Sequence, residues 1–338
     1  MSLKNSWYIA CESRALKKKP LAVTVFAQAL VLWRDESGKA HAFPDRCAHR
    51  NAPLSEGHVS GGCLRCPYHG WCYDGEGKCI TVPALANARA IPQAARVPSF
   101  PITEKDGYVW LWPGESPAIG TPFSFPHCDE SGWTTFRMRT RFESGVEACL
   151  ENFLDCPHTA HVHRGWFRNS DPREMDAVVQ CHASGVDVAF QNEPVTGSLI
   201  ARLLYPQGRS PQHTDRFIMP NLSRVDYEFD SNHHFIIISQ CTPVSEYETE
   251  VFTVISFRYG KIGRLVRLIF EPMSRHIIRQ DVDILKLHGD NVRRFGGEKY
   301  AHVETDLIGL HMLSLRRRAE RHEPAPADAT ERVIRIRF

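Results

Sequence analysis

The stretch that decides the fold runs from Cys47 to Gly77 and reads CAHRNAPLSEGHVSGGCLRCPYHGWCYDGEG. It contains four cysteines and three histidines among turn-forming glycines and prolines. In a reducing compartment, clustered cysteine and histidine side chains bind metal more often than they form disulfides. The stretch therefore predicts a metal site, and the question is whether the metal shapes the chain or moves electrons.

Composition narrows the class of protein. A chain of 338 residues with 42% hydrophobic and 24% charged residues predicts a globular protein of two domains. The net charge of +2 argues against a nucleic-acid partner. The N-terminus has no apolar core of signal-peptide length, and no run of about 18 apolar residues predicts a membrane span. We expect a cytoplasmic protein.

The sequence changes character near Pro117. Up to Trp112 it reads as short strands and turns, with a hairpin predicted around residues 35–38. The segment GESPAIGTPFSFP then has linker composition. We therefore predict domains at residues 1–117 and 118–338. The second combines helical spacing near residues 144–163, 262–293 and 301–321 with β-type runs between 176 and 259, which predicts an α+β domain with an antiparallel sheet.

The opening stretch offers two matched half-sites. Cys47-x-His49 is followed by Cys66-x-x-His69, and each half places one thiolate and one imidazole on a tight turn. Two thiolates and two imidazoles suit a [2Fe–2S] cluster with thiolates on one iron and imidazoles on the other. Neutral ligands raise the reduction potential relative to an all-cysteine cluster, so such a centre accepts one electron readily.

Structural zinc is the alternative for this stretch. Cys63 and Cys66 form a C-x-x-C pair, and Cys72 and Cys79 add further thiols. Every zinc arrangement leaves several potential ligands unused, whereas the two half-sites use theirs completely. We therefore expect the remaining cysteines to be small buried hydrophobic residues.

A second group of histidines lies in ENFLDCPHTAHVH, residues 151–163. His158, His161 and His163 follow Asp155 closely, which predicts a second metal site. His158 and His161 could pair on a regular helix, whereas pairing of His158 with His163 needs the break that Pro157 supplies. Spacing alone leaves both pairings open.

A carboxylate would complete such a site, because iron that activates dioxygen commonly takes two histidines and one carboxylate. Asp281 is the candidate, since a carboxylate on an apolar helix stripe is costly unless it binds metal or is paired. Asp283, by contrast, has polar neighbours. A buried salt bridge with an arginine is the other interpretation of Asp281. Its apolar neighbours are Ile277, Ile278, Ile284 and Leu285.

The segments CAHRNAPLSEG and CPYHGWCYDGEG resemble the Rieske motif of the Rieske non-haem iron oxygenases. The resemblance implies that Cys47 and Cys66 bind one iron of a [2Fe–2S] cluster and that His49 and His69 bind the other. It also implies an N-terminal all-β Rieske domain followed by a helix-grip-like catalytic domain.

The second motif resembles the same family's N-x-x-D-x-x-H-x-x-x-x-H pattern, matched by Asn152, Asp155, His158 and His163. The resemblance implies that both of these histidines bind a mononuclear Fe(II) together with Asp281, which leaves His161 in a pocket or packing role. It assigns Asn152 and Asp155 to the catalytic machinery.

The resemblance gives Asp155 a specific task. It implies that Asp155 joins His69 of a neighbouring subunit to His158, and hence a homotrimer. A helix cap is the other interpretation of Asp155.

The family likeness implies a terminal oxygenase that uses O2 and a small organic substrate. Electrons would come from a separate ferredoxin or flavin reductase, since no dinucleotide-binding G-x-G-x-x-G unit is present. Similarity to the short single-subunit members favours hydroxylation or oxidative demethylation over arene cis-dihydroxylation. A Rieske-type electron carrier and a structural zinc protein are the alternatives from other classes.

Substrate identity is not readable from the sequence. The catalytic strands predict a largely apolar pocket. The candidate polar contacts are His161, Gln240, Thr253 and Ser256.

Overall fold

The computed structural model describes residues 3–85, 91–164, 166, 174–191, 211–326 and 331–337. The chain forms two compact units, one of residues Lys4–Ser124 and one of Phe125–Phe338 with Met1–Leu3. The boundary predicted near Pro117 lies within the first unit, close to its end. Part of the β-rich region predicted between residues 176 and 259, namely 192–210, lies outside the described residues.

The first unit is built from three small antiparallel sheets. Their orders are β1-β10-β9, β2-β3-β4 and β5-β6-β7-β8. Its described residues contain two short 3-10 turns and no α-helix, as the all-β prediction requires. The strands are β1 (Tyr8–Glu12), β2 (Leu21–Val25), β3 (Gln28–Arg34), β4 (Ala40–Pro44), β5 (His58–Ser60), β6 (Cys63–Arg65), β7 (Cys72–Tyr73), β8 (Cys79–Thr81), β9 (Ile102–Lys105) and β10 (Tyr108–Leu111).

The predicted hairpin joins β3 to β4. The side chain of Asp35 accepts hydrogen bonds from the backbone N–H groups of Ser37 and Lys39, which closes the turn. Gly38 has φ +85°, a left-handed conformation that glycine adopts without strain. The apolar residues from Leu30 to Trp33 are all buried, so this hairpin anchors the unit.

The second unit contains one eight-stranded antiparallel sheet. Its order is β11-β17-β16-β15-β14-β13-β12-β18. The strands are β11 (Trp133–Phe142), β12 (Glu174–His182), β13 (Gly185–Gln191), β14 (Gln212–Ile218), β15 (Leu222–Asp230), β16 (His233–Ser245), β17 (Glu248–Tyr259) and β18 (Arg332–Arg337). The helices are α1 (Val146–Leu154), α2 (Gly263–Arg294) and α3 (Gly309–Glu320).

Helices α1 and α2 pack on the sheet, and both contribute residues to the wall of a cavity. Helix α1 packs on β14, β15 and β16, whereas α2 packs on β11 and β17. Phe270 of α2 meets the sheet residues Phe235 and Phe257 edge-on at 5.5 and 5.4 Å. This large antiparallel sheet with few helices confirms the predicted α+β catalytic domain. None of the described helices is long and apolar enough to cross a membrane.

Two cysteines of the opening stretch form a disulfide, which corrects the expectation that both are free buried thiols. Cys63 on β6 and Cys72 on β7 are bonded, with Cα atoms 5.7 Å apart. They lie across two neighbouring antiparallel strands, where Cα spacing suits a disulfide. Cys79 does match the expectation, since it is a buried free thiol. The bond closes the base of the loop between β6 and β7.

We expect unfolded, metal-free, unreduced protein to titrate nine thiols, and eleven after reduction. The double variant Cys63→Ser/Cys72→Ser should have a free energy of unfolding about 3 kcal/mol lower than the wild type. Without the crosslink, the unfolded chain regains the entropy of an open loop of roughly ten residues. Cys79→Ser is the control, because it replaces a buried cysteine that takes no part in the disulfide. Eleven thiols before reduction would contradict the disulfide.

A pH-dependent contribution to stability comes from Asp226 on β15. Burial alone would raise the pKa of Asp226, but hydrogen bonds from His234 and Arg224 outweigh it and lower the pKa to about 2. Arg224 donates to both carboxylate oxygens, at 2.7 and 2.8 Å. A lowered carboxyl pKa stabilises the fold above the unfolded pKa, and this stabilisation is lost as the pH falls towards 2.

We therefore expect Asp226→Asn to lower the free energy of unfolding at pH 7 by about 2 kcal/mol. The deficit should shrink between about pH 4 and pH 2, because the wild type loses its advantage there. Denaturant melts across that range measure it, with the exposed Asp129→Asn as control. A deficit independent of pH would contradict the assigned ion pairing.

Candidate metal centres

Two tight loops carry the first predicted ligand set. The backbone N–H of Asn51 bonds Cys47 O, and the N–H of Gly70 bonds Cys66 O. Gly70 has φ +70°, and a Cβ there would lie 3.1 Å from Pro83 Cγ. The second loop is thus shaped by a glycine, as the turn chemistry predicts.

The two cysteines of this set are buried. Cys47 and Cys66 are 1% and 3% exposed, and Cys47 Sγ lies 3.1 Å from the hydroxyl of Tyr73. Burial raises the pKa of the Cys66 thiol, and hydrogen bonding with Cys47 adds to the rise. The backbone N–H groups of Tyr68 and His69 act in the opposite direction, because they donate to the Cys66 sulfur.

The two histidines lie at the outer edge of the same set. His69 is exposed and His49 is half-buried, with ring centroids 4.6 Å apart. Trp71 stacks on His49 at 4.4 Å and fixes its ring plane. His49 Nδ1 is buried and has no hydrogen-bond partner among the described residues. Two inward thiols, two outward imidazoles and an unpaired ring nitrogen fit a [2Fe–2S] cluster with mixed ligands.

The second ligand set starts where α1 ends. The helix stops at Leu154, and Pro157 opens a 3-10 turn that runs to Ala160. His158 Nδ1 bonds the backbone carbonyl of Asp155, and its backbone N–H bonds the Asp155 carboxylate at 3.2 Å. Because Nδ1 is engaged, Nε2 is the nitrogen left to bind metal.

His163 is oriented in the same way by a different partner. Its Nδ1 lies 2.9 Å from Gln280 Oε1 on α2. This contact was missed, because Gln280 is not among the residues that the sequence predicts for the site. A glutamine directly before a predicted carboxylate ligand is the signal that could have suggested it. Gln280 holds the His163 ring so that Nε2 faces Asp281, 3.1 Å away.

Asp281 completes the set. Its Oδ1 lies 3.1 Å from His163 Nε2 and 3.7 Å from His158 Nε2. One donor atom from each of the three residues lies within 4.8 Å of the others. Asp281 is 5% exposed, and its Oδ1 accepts no hydrogen bond from the described residues. Two imidazole nitrogens and an orphaned carboxylate oxygen, all converging, fit a mononuclear iron site.

Burial sets the electrostatics of this group. It lowers the pKa of His158, an effect that the carboxylates of Asp281 and Asp155 only partly offset. Burial would also lower the pKa of His163, but the adjacent Asp281 raises it overall. Burial raises the pKa of Asp155. A histidine held neutral by burial is in the protonation state that binds metal.

Asn152 and Asp155 take different positions. Asn152 lies on α1 and lines the cavity, with Oδ1 buried and unpartnered among the described residues. The Asp155 side chain is 39% exposed, and its Oδ2 lies 3.7 Å from His158 Nδ1. The backbone of Asp155 therefore contacts His158 more closely than its carboxylate does. Asp155 also acts as a cap, since it ends α1 and its carboxylate accepts the backbone N–H of His158 in the 3-10 turn that follows.

The ligand set opens into a cavity of about 170 Å³. A cavity of roughly 150 Å³ already holds a benzene ring. Most of the wall is apolar, as predicted, with polar groups from β14, β15, β16 and β17. The apolar residues of the wall include Phe235, Ile237 and Ile255, and the polar ones include His213, Asp215, Ser223, Ser239 and Thr253.

Three of the four candidate polar contacts do not line the cavity. His161 is exposed and does not line the cavity. Gln240 and Ser256 are buried on the other face of the sheet, where they bond Thr242 and Thr135. The neighbours Ser239 and Ile255 face the cavity instead, because alternate strand residues point to opposite faces. Thr253 lines the cavity as predicted.

Comparison with known proteins agrees with these two sites. Residues 6–101 match the Rieske [2Fe-2S] domain, and residues 142–322 match the vanillate O-demethylase oxygenase C-terminal domain. Aminopyrrolnitrin oxygenase of Pseudomonas fluorescens is 26% identical over 83% of both chains. The oxygenase component of dicamba O-demethylase from Stenotrophomonas maltophilia is 36% identical over 48% of both.

The fold agrees as well. The crystal structure of dicamba monooxygenase bound to dicamba superposes with a TM-score of 0.77 at 23% identity, covering 95% of this chain and 98% of that one. The relatives also include an iron-sulfur subunit of the toluene-4-sulfonate monooxygenase system of Comamonas testosteroni, which is 29% identical over 55% of this chain and 53% of the relative. The Rieske domain match and the oxygenase domain match together span both ligand sets. The chain therefore belongs to the Rieske non-haem iron oxygenases, enzymes with a [2Fe–2S] cluster and a mononuclear iron.

Proposed function

We propose that this chain is the terminal oxygenase of a multicomponent system, which hydroxylates or oxidatively demethylates a small organic substrate. The observation that carries the proposal is the placement of His158, His163 and Asp281 in the wall of a mostly apolar cavity. A structural metal site would have no need of a cavity large enough for a ring.

The proposed ligand sets divide the work. Cys47, His49, Cys66 and His69 would hold the Rieske cluster, and His158, His163 and Asp281 the mononuclear Fe(II). When bound, these groups supply single-electron transfer and dioxygen activation respectively. Tyr73 and the backbone N–H groups of the second loop stabilise negative charge on the cysteine sulfurs.

Around the second site, the chain's own residues bind and orient. Asp155 O and Gln280 hold the two imidazoles in the tautomer that presents Nε2. Phe235, Ile237 and Ile255 exclude water from one side of the cavity and pack against an apolar substrate. Asn152 places an amide beside the ligand set.

We propose separate redox partners, a ferredoxin, a flavin reductase or both. The cluster transfers one electron at a time, and the sequence contains no dinucleotide-binding motif. Two relatives carry names that describe parts of a system, one an oxygenase component and one an iron-sulfur subunit of a monooxygenase system.

We also propose a homotrimer in which Asp155 bridges two subunits. His69 is exposed at the edge of its loop, beside Tyr68, which is 65% exposed. Asp155 is partly exposed beside His158. A carboxylate placed between two imidazoles can accept a hydrogen bond from each, so Asp155 suits a link from His158 to His69 of a neighbouring subunit.

Electron paramagnetic resonance on dithionite-reduced protein, with iron and sulfide counted, tests the oxygenase proposal. We expect a Rieske signal with about three irons and two sulfides per chain. Asp281→Asn should keep the signal and both sulfides but lose about one iron, because it replaces a carboxylate ligand. Asp283→Asn, an exposed neighbour, is the matched control. Zinc without sulfide would refute the proposal.

The bridge predicts a different phenotype at Asp155. Asp155→Asn should keep the Rieske signal and all iron, since the His158 ring is held by the backbone carbonyl of residue 155. Substrate-coupled O2 uptake should fall ~10–100-fold, the usual cost of losing an outer partner of a metal ligand. Light scattering should still report the wild-type oligomer. Unchanged O2 uptake would exclude the bridge.

A further inference from the structure

A second polar cluster lines the cavity and takes no part in the proposed iron site. Asp215 and His213 on β14 are 2% and 1% exposed, and both face the cavity together with Cys156. His213 Nε2 lies 3.0 Å from Asp215 Oδ1, and Cys156 Sγ donates to Asp215 Oδ2 at 3.5 Å. Burying a carboxylate is costly, so its presence here calls for an explanation.

His213 is held rigidly. Its ring stacks on Phe190 at 4.4 Å on one side and on Tyr227 at 4.1 Å on the other. Each interplanar angle is small, 24° and 18°. The imidazole therefore holds Asp215 in a fixed position, which is a requirement for a group that recognises a ligand.

The hydrogen bonding distinguishes this cluster from the iron site. At Asp281, two imidazole nitrogens approach an oxygen that accepts no hydrogen bond from the described residues. At Asp215, His213 and Cys156 each make a hydrogen bond to the carboxylate. Donor atoms of Cys156, His213 and Asp215 also lie within 4.8 Å of one another, but both oxygens of Asp215 are hydrogen-bonded, whereas Asp281 Oδ1 accepts no hydrogen bond from the described residues. A carboxylate has about four acceptor positions, so Asp215 retains capacity for a donor in the cavity.

The charges of the wall point to the same class of ligand. Among the described residues that line the cavity, none is lysine or arginine, whereas Asp215 adds a carboxylate to those of Asp155 and Asp281. A substrate carboxylate or sulfonate placed beside Asp215 would meet this charge, and the described wall residues offer no lysine or arginine to pair with it. A substrate with an N–H or O–H group would instead donate to Asp215.

We propose that Asp215, positioned by His213, is the polar anchor of the substrate cavity, and that it selects a ring-containing substrate bearing an amine, ring N–H or hydroxyl group over a carboxylic or sulfonic acid. This inference rests on the proposed oxygenase function and adds its substrate class. The mostly apolar remainder of the wall then packs against the ring.

The test is calorimetric binding of three single-ring probes to the oxidised holoenzyme. Benzylamine, benzyl alcohol and benzoate differ in one substituent on the same ring. We expect both donor probes to bind the wild type at least about tenfold more tightly than benzoate, the effect of one buried hydrogen bond to a charged group. In Asp215→Asn the preference should shrink to within about threefold, and exposed Asp129→Asn should retain it.

The outcomes separate the possible explanations. Equal binding of benzoate to the wild type overturns the proposal without any variant, so the test does not depend on the folding of Asp215→Asn. A preference that survives in Asp215→Asn overturns it too. Metal analysis showing one equivalent beyond three irons, lost in Asp215→Asn, would assign the cluster to a second metal instead.

Different results would refute the substrate anchor and the proposed oxygenase function. A holoenzyme with a Rieske signal and about three irons that shows no donor preference would refute only the substrate anchor. Protein without the signal and without iron would refute the oxygenase itself, and with it the anchor.

Discussion

The catalytic unit depends on one costly burial, the carboxylate of Asp281 among apolar side chains beneath the sheet. Its Oδ1 faces two imidazole nitrogens and receives no hydrogen bond from the described residues, an arrangement that only a cation at their meeting point would stabilise well. Two elements bring these groups together. The turn after α1 carries His158, with His163 shortly beyond it, and the long helix α2 carries Asp281 and Gln280.

Much of this was predictable because the chemistry is local. The half-sites at Cys47 and Cys66 each lie within four residues, so the sequence alone displays the donor set. Asp281 could be identified as a candidate because burying a carboxylate among apolar helix neighbours is costly unless it is paired or binds a metal. Choosing His163 over His161 needed the family pattern, since both spacings are sterically possible near Pro157. The structure supplies the physical reason, as His161 is exposed and His163 is buried.

The features that the sequence did not predict depend on contacts between segments that are not adjacent in the chain. Gln280 and His163 are 117 residues apart, and no local pattern links them. Gln240 and Ser256 were only candidates for the cavity, because the sequence does not reveal which face of a strand points into it. Strand register decides that face, and a shift of one residue exchanges the two faces. Cys63 and Cys72 were expected to stay apart because thiols are usually reduced in the cytosol, whereas the pairing of β6 with β7 brings them together.

That disulfide has a consequence for how faithfully the chain is loaded with its cofactor. Cys63 would otherwise form a C-x-x-C pair with Cys66, a pair that captures zinc. A bonded sulfur offers no thiolate and binds no metal tightly. Because Cys63 and Cys72 are bonded to each other, the free thiols of this stretch are Cys47, Cys66 and Cys79. Binding of zinc by the C-x-x-C pair therefore requires reduction of the disulfide first.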